Sequence, residues 1–153
     1  LGFSLVETRH KLKPEHVGKT GPQLVALKKQ GVAIEHHIET ALVAYCGDTA
    51  VGDFFDLPWV RDAELLVMEC TFFEHEHLHR ARVGKHTHVS DLRQVLAGNR
   101  SAHVLIMHVT RRTEMRQAKA MLRDAIEPRD LERVSFLMER SPRREGRRLA
   151  VES

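Results

Sequence analysis

Three short apolar runs, the helical patterns around them and the polar residues that end each run predict an α/β layered domain. Ala41–Cys46, Leu65–Met68 and Ala102–Met107 are continuous and apolar, as strands buried on both faces are. Helical patterns at about 73–83 and 89–98 separate the second run from the third, and another at about 112–126 follows it. Strands that alternate with helices pack as layers around one core.

The elements follow in order. Phe3–Thr8 reads as a strand, and a basic loop punctuated by Pro and Gly runs from Arg9 to Gly21. Pro22–Gln30 reads as a short helix, with proline in its first turn and Gly31 at its stop. Val32–Glu39 is extended and partly polar and leads into the first apolar run. Val134–Met138 reads as a fourth core strand. From Ser141 the chain is rich in Arg with little to pack. Residues 1–140 are therefore expected to form one domain and residues 141–153 a tail. No internal repeat or linker divides the chain.

At 153 residues, 42% hydrophobic and 29% charged, the chain is neither mainly disordered, nor collagen-like, nor a coiled coil. It has no run of eighteen apolar residues, so no membrane-spanning helix is expected. Leu1–Lys11 lacks the charged-then-apolar order of a signal peptide. Cys46 and Cys70 each sit in an apolar stretch, which argues against a disulfide framework and for a cytoplasmic location.

A net charge of +3 hides an uneven distribution. Residues 1–31 hold six Lys/Arg against Glu7 and Glu15, and residues 140–153 hold five Arg against Glu145 and Glu152. Residues 53–76 hold seven Asp/Glu against Arg61. Basic ends around an acidic middle suit a polyanion held near a metal site. Solvated surfaces with a frayed tail give the same pattern.

Each core run ends on an ionisable residue with a hydroxyl close by. Gly47-Asp48-Thr49 follows the first, Glu69-Cys70-Thr71 the second and His108-Val109-Thr110 the third. Open α/β sheets bind ligands outside the carboxyl ends of their strands, so Asp48, Glu69 and His108 are expected to converge. Carboxylate oxygen and imidazole nitrogen both bind Zn²⁺ or Mn²⁺, and a carboxylate can bridge two metals. Two ions a few ångströms apart can activate water and stabilise an in-line phosphoryl displacement.

Other histidines, of eleven in all, offer less. His75-Glu76-His77-Leu78-His79 superficially resembles the His-x-His-x-Asp-His motif of dinuclear zinc enzymes, but His79 stands at the Asp position and Arg80 at the last His. On a helix His75 and His79 share a face and His77 points elsewhere, which reads as a solvated His-rich helix. His16, His36 and His37 read as surface residues, and His103 as a packed or edge residue at the start of a strand. His86-Thr87-His88 lies on a short loop between two helices. There His86 could pair with Glu69 for proton donation to a leaving oxygen, or Thr87 or His88 could simply cap the next helix.

Several of these segments, in their order, resemble ribonuclease Z, the tRNA 3′-end processing endonuclease family of the metallo-β-lactamase fold. Gly2-Phe3-Ser4-Leu5, Lys11-Leu12-Lys13-Pro14-Glu15 and Leu27-Lys28-Lys29-Gln30-Gly31-Val32 resemble the lead-in of its short form. Tyr45-Cys46-Gly47-Asp48-Thr49 is similar to its Gly-Asp-Thr motif, and Glu69-Cys70-Thr71-Phe72 to its Glu-Ala-Thr-Phe element. Lys85-His86-Thr87-His88-Val89-Ser90 resembles its Gly-His loop, with Lys85 in place of Gly. His108-Val109-Thr110-Arg111-Arg112 is similar to its His-Phe-Ser-x-Arg-Tyr motif, with Thr113 at the Tyr position.

The resemblance implies a fold, the C-terminal half of a metallo-β-lactamase αβ/βα sandwich, and a set of roles. Asp48 would bridge two Zn²⁺ ions, with Mn²⁺ as an alternative, and His108 would ligate one of them. Glu69 and His86 would form the proton-donating pair. Thr110 and Arg112 would touch the phosphate or the 3′-terminal nucleotides of a tRNA precursor. The complete protein would be a homodimer that makes no use of a membrane. The family's His-x-His-x-Asp-His motif does not occur here, so a preceding half is expected to supply it. The long arm of some members is not seen between residues 9 and 40, and Met68 stands before Glu69 where many members have His. Two alternatives accompany this expectation: a hydrolase of the same fold acting on another ester, and a non-catalytic fragment that binds RNA or a partner.

Overall fold

The computed structural model describes residues 2–137. The Arg-rich tail at 141–153 and the last residue of the expected strand Val134–Met138 lie outside them. A five-stranded sheet runs in the order of the sequence: β1 (Phe3–Leu12), β2 (Glu35–Tyr45), β3 (Leu65–Glu69), β4 (His103–Met107) and β5 (Val134–Phe136). β1 and β2 are antiparallel, and β2 to β5 are mutually parallel. The helices are α1 (Gly21–Lys29), α2 (Pro58–Arg61), α3 (Leu78–Gly84), α4 (Leu92–Gly98), α5 (Met115–Ala125) and α6 (Pro128–Leu131). The expected mixed α/β class is the one observed.

The three apolar runs form β2's second half, β3 and β4, as their composition requires. α5 shows why its segment is helical: Ala118 and Leu122 are buried, and Met115, Met121 and Ala125 pack beside them. That i, i+3, i+7 spacing is one stripe of a helix. The stripe joins Leu92, Val95 and Leu96 of α4 in covering Ala44, Leu66, Met68, Val104, Ile106 and Phe136 on one face of the sheet. Burial of such side chains, about 1.5–3 kcal/mol each for the larger ones, is the main force that closes this layer.

The opposite face is also apolar but only partly covered. Phe3, Tyr45, Val67 and Leu105 stand in one cross-strand row, and Leu5, Val43 and Leu65 in the next. Phe3 stacks on Tyr45 with ring centroids 5.1 Å apart, yet Phe3 is 64% and Leu5 55% exposed.

The polar segments depart from expectation. β1 does not stop at Thr8 but continues through Arg9, His10 and Lys11 to Leu12, where a loop is expected, because β2 pairs with it along its whole length. Ladder hydrogen bonds hold an exposed edge strand that has no apolar pattern to reveal it. His16 is buried with its Nδ1 unpartnered, and is not the surface residue expected. His103, expected as a packed or edge residue, is exposed at the start of β4. Cys46 and Cys70 are unpaired and buried, and burial pushes the Cys46 thiol up to about 11 and the Cys70 thiol higher than usual.

The acidic middle is not one patch. Asp62 pairs with Arg61 and Arg100, Glu69 is buried, and Glu74 accepts from the Thr113 hydroxyl at 2.8 Å. None of the helices among the described residues is long and apolar enough to cross a membrane.

Candidate active site

The site is assembled at the carboxyl ends of β2, β3 and β4, which are neighbours in the sheet. Each strand delivers one group. Beyond β2 the chain turns at Gly47, whose φ of 70° belongs to the left-handed region that a side chain disfavours. The turn leaves Asp48 half-exposed. Glu69 is the last residue of β3 and is 1% exposed. His108 follows β4 with a φ of 60°, a strained conformation for a residue with a Cβ. It too is half-exposed.

Main-chain and side-chain bonds tie the loops together. The Thr71 amide donates to the Thr87 carbonyl at 3.2 Å, the Thr110 amide to the Thr71 carbonyl at 3.2 Å, and the Thr87 hydroxyl to the Thr49 carbonyl at 2.9 Å. The loop carrying His86 is thereby fixed against the ends of the strands. The loop both caps the next element and brings His86 against Glu69. His88 caps the next turn, its ring accepting from the Ser90 amide at 3.2 Å, while His86 is left to the site.

Three donors converge on the Glu69 carboxylate. The Thr87 amide reaches Oε1 at 2.8 Å, His86 Nδ1 reaches Oε1 at 3.0 Å, and the Thr71 hydroxyl reaches Oε2 at 2.7 Å. His108 Nδ1 lies 3.1 Å from the Thr71 oxygen and 3.5 Å from Asp48 Oδ1. The two imidazole rings are 5.5 Å apart, and Phe72 stands edge-on to His86. Donor atoms of Glu69, His86 and His108 all lie within 4.8 Å of one another. Imidazole nitrogen and carboxylate oxygen form a donor set suited to a borderline divalent cation, so the residues present fit such an ion. Glu69 already accepts from three groups, whereas the Asp48 and His108 side chains are half-exposed.

Asp48, Glu69, His86 and His108 are thus brought together. Thr110 and Arg112 sit on the turn after His108, where the Arg112 amide approaches the Thr110 hydroxyl at 3.4 Å. Arg112 is exposed. The exposed His75 and His79 stand apart from the cluster, and His77 pairs instead with Glu74 at 3.1 Å. Two participants carry no role in the sequence reading. One is the Thr71 side chain, signalled only as a hydroxyl near a strand end. The other is the Thr87 amide, which no sequence signal marks because every residue but proline has one.

A mixed α/β domain that gathers Asp48, Glu69, His86 and His108 at the carboxyl ends of neighbouring strands is laid out as open α/β sheets lay out a ligand site. No protein-family model matches the chain. It is 32% identical over 120 residues to tRNase Z TRZ1 of Arabidopsis thaliana, an alignment covering 76% of this chain and 42% of that protein. It is 31% identical over 135 residues to the chloroplastic tRNase Z TRZ2 of the same plant, covering 82% of this chain and 37% of that one. The chain is ribonuclease Z-like, and it spans about two-fifths of the length of these relatives.

Proposed function

We propose that this chain is the C-terminal half of a zinc-dependent endoribonuclease that processes the 3′ ends of tRNA precursors. The observation that carries this reading is the 3.0 Å contact between Glu69 and His86 directly beside the Asp48–His108 pair. In this reading Asp48 and His108 hold zinc together with ligands from a preceding half. Zinc, when bound, supplies Lewis acidity and a nucleophilic water at neutral pH. Glu69 accepts from His86 Nδ1–H and so favours the imidazolium, whose second proton, on Nε2, is the one given to the leaving 3′ oxygen. Thr110 and Arg112 hold the phosphate, for which the planar guanidinium is well shaped. Two unpaired cysteines suit a reducing compartment such as the cytoplasm. A homodimer in the complete protein is part of the same reading.

Thr113, which departs from the family pattern, has a structural task of its own in binding Glu74. Its change therefore gives little support to a different ester as substrate. The test is turnover by the protein translated from its whole reading frame. Cleavage of a tRNA precursor after the discriminator, abolished by a chelator and restored by zinc, is expected. Turnover of a generic phosphodiester with no cleavage of the precursor would replace this reading with a hydrolase of another ester.

A further inference from the structure

The Thr71 hydroxyl lies at the junction of the two imidazoles, and its single proton decides how both are used. That oxygen is 2.7 Å from Glu69 Oε2, 3.1 Å from His108 Nδ1 and 3.3 Å from His86 Nδ1. A carboxylate accepts and cannot donate, so the proton of the hydroxyl goes to Glu69. The oxygen then has only lone pairs to offer the two rings. His86 already has a better-placed acceptor in Glu69 Oε1 at 3.0 Å. His108 Nδ1 faces two acceptors, the Thr71 oxygen at 3.1 Å and Asp48 Oδ1 at 3.5 Å. For neutral rings one arrangement gives each Nδ1 an acceptor: both rings carry their proton on Nδ1, and Glu69 orients His86 directly and His108 through Thr71.

We propose that Thr71 is a positioning residue that locks His108 in its Nδ1–H tautomer and so leaves Nε2 as the ring nitrogen available to a ligand. The inference deepens the function proposed above and rests on it for its purpose, though not for its geometry. Ring nitrogens of ligating histidines are set by the hydrogen bond made on the other side of the ring. A threonine suits this place because it can donate to a carboxylate and accept from an imidazole at once. It also couples the two halves of the site, since Glu69 serves one ring directly and the other through a single hydroxyl.

The experiment reads the tautomers directly, by long-range ¹H–¹⁵N correlation of the histidine rings in chelator-treated protein. The spectra are recorded at about pH 8, above the ordinary imidazole range. In the wild type both His86 and His108 are expected to show protonated Nδ1 and unprotonated Nε2. Thr71→Val keeps the shape and removes the hydroxyl. It should shift His108 to the mixed tautomer signal of a free imidazole, while His86, still held by Glu69, keeps its own. Thr71→Ser should preserve the wild-type pattern at both rings.

A wild-type His108 protonated on Nε2 overturns the proposal, and that spectrum decides even if Thr71→Val does not fold. An unchanged His108 in Thr71→Val, equal changes at both rings, or loss of the pattern in Thr71→Ser overturns it as well. Cleavage of a tRNA precursor enters none of these outcomes, so failure of the proposed activity and failure of this inference are told apart.

Discussion

Glu69 and His86 stand seventeen residues apart in sequence and 3.0 Å apart in space, one closing a central strand and the other on the loop after α3. The carboxylate is enclosed while the ring is partly open to solvent. The buried carboxylate thus anchors the partly open ring.

If the two act as one proton-donating unit, Glu69→Gln and His86→Ala should each slow precursor cleavage, by about 10²–10⁴-fold. The double variant should be scarcely slower than the worse single one, because the second change removes nothing that still works. A substrate with a better leaving group should recover much of the loss. Single-turnover rates on both substrates check this, and multiplying defects without recovery would assign Glu69 a structural role.

Asp48→Ala should lower bound zinc and activity together in the complete protein while leaving the fold intact. Asp48 is half-exposed and its contact within the site is to His108, so its removal opens no core cavity. Metal analysis after dialysis, with circular dichroism as the fold control, makes the comparison. Full zinc content in the variant would remove Asp48 from the ligand set.

Thr113→Val tests the bond beneath the site. Burial pushes the Glu74 carboxyl up, but hydrogen bonds from Thr113, its own backbone and His77 outweigh this and hold it below the usual range. A carboxyl lowered in the folded state contributes stability that is present above its unfolded value and lost as pH falls through its folded value. The variant should therefore be less stable by about 1 kcal/mol near neutrality. That difference should shrink as pH falls through the carboxylate range. Urea denaturation at a series of pH values gives the curve, and a constant gap would mean that Thr113 acts through packing.

Lys85 adopts φ 55° and ψ 43° at the end of α3, a left-handed conformation that costs a residue with a Cβ about 1–2 kcal/mol. It is exposed, so Lys85→Gly should raise stability by about 1 kcal/mol in urea titration. Unchanged or lower stability would mean that the lysine side chain makes up for its own strain.

Much of this was legible in the residues. Leu65–Met68 and Ala102–Met107 announce core strands because a strand that is apolar on both faces does not alternate. The polar residue after each such run marks where a site gathers, which is how Asp48, Glu69 and His108 stand out. The strand from Arg9 to Leu12 was illegible because an exposed edge strand is held by its partner's backbone, and backbone pairing leaves no side-chain signature. The same reason hides the Thr87 amide. Thr71 was visible as a hydroxyl, but its use depends on two histidines far along the chain meeting at one oxygen.

The partly covered rows from Phe3 to Leu105 and from Leu5 to Leu65 also govern how this polypeptide behaves in a test tube. An apolar surface of that kind makes colloidal behaviour depend on the solvent as much as on the sequence. Salts excluded from protein surfaces, such as sulfate, drive such faces together, while mild urea solvates them. Scattering and sedimentation should therefore follow protein concentration and the choice of buffer anion. Rates or affinities taken at a single dilution would mix the chemistry of the site with the adhesion of the sheet.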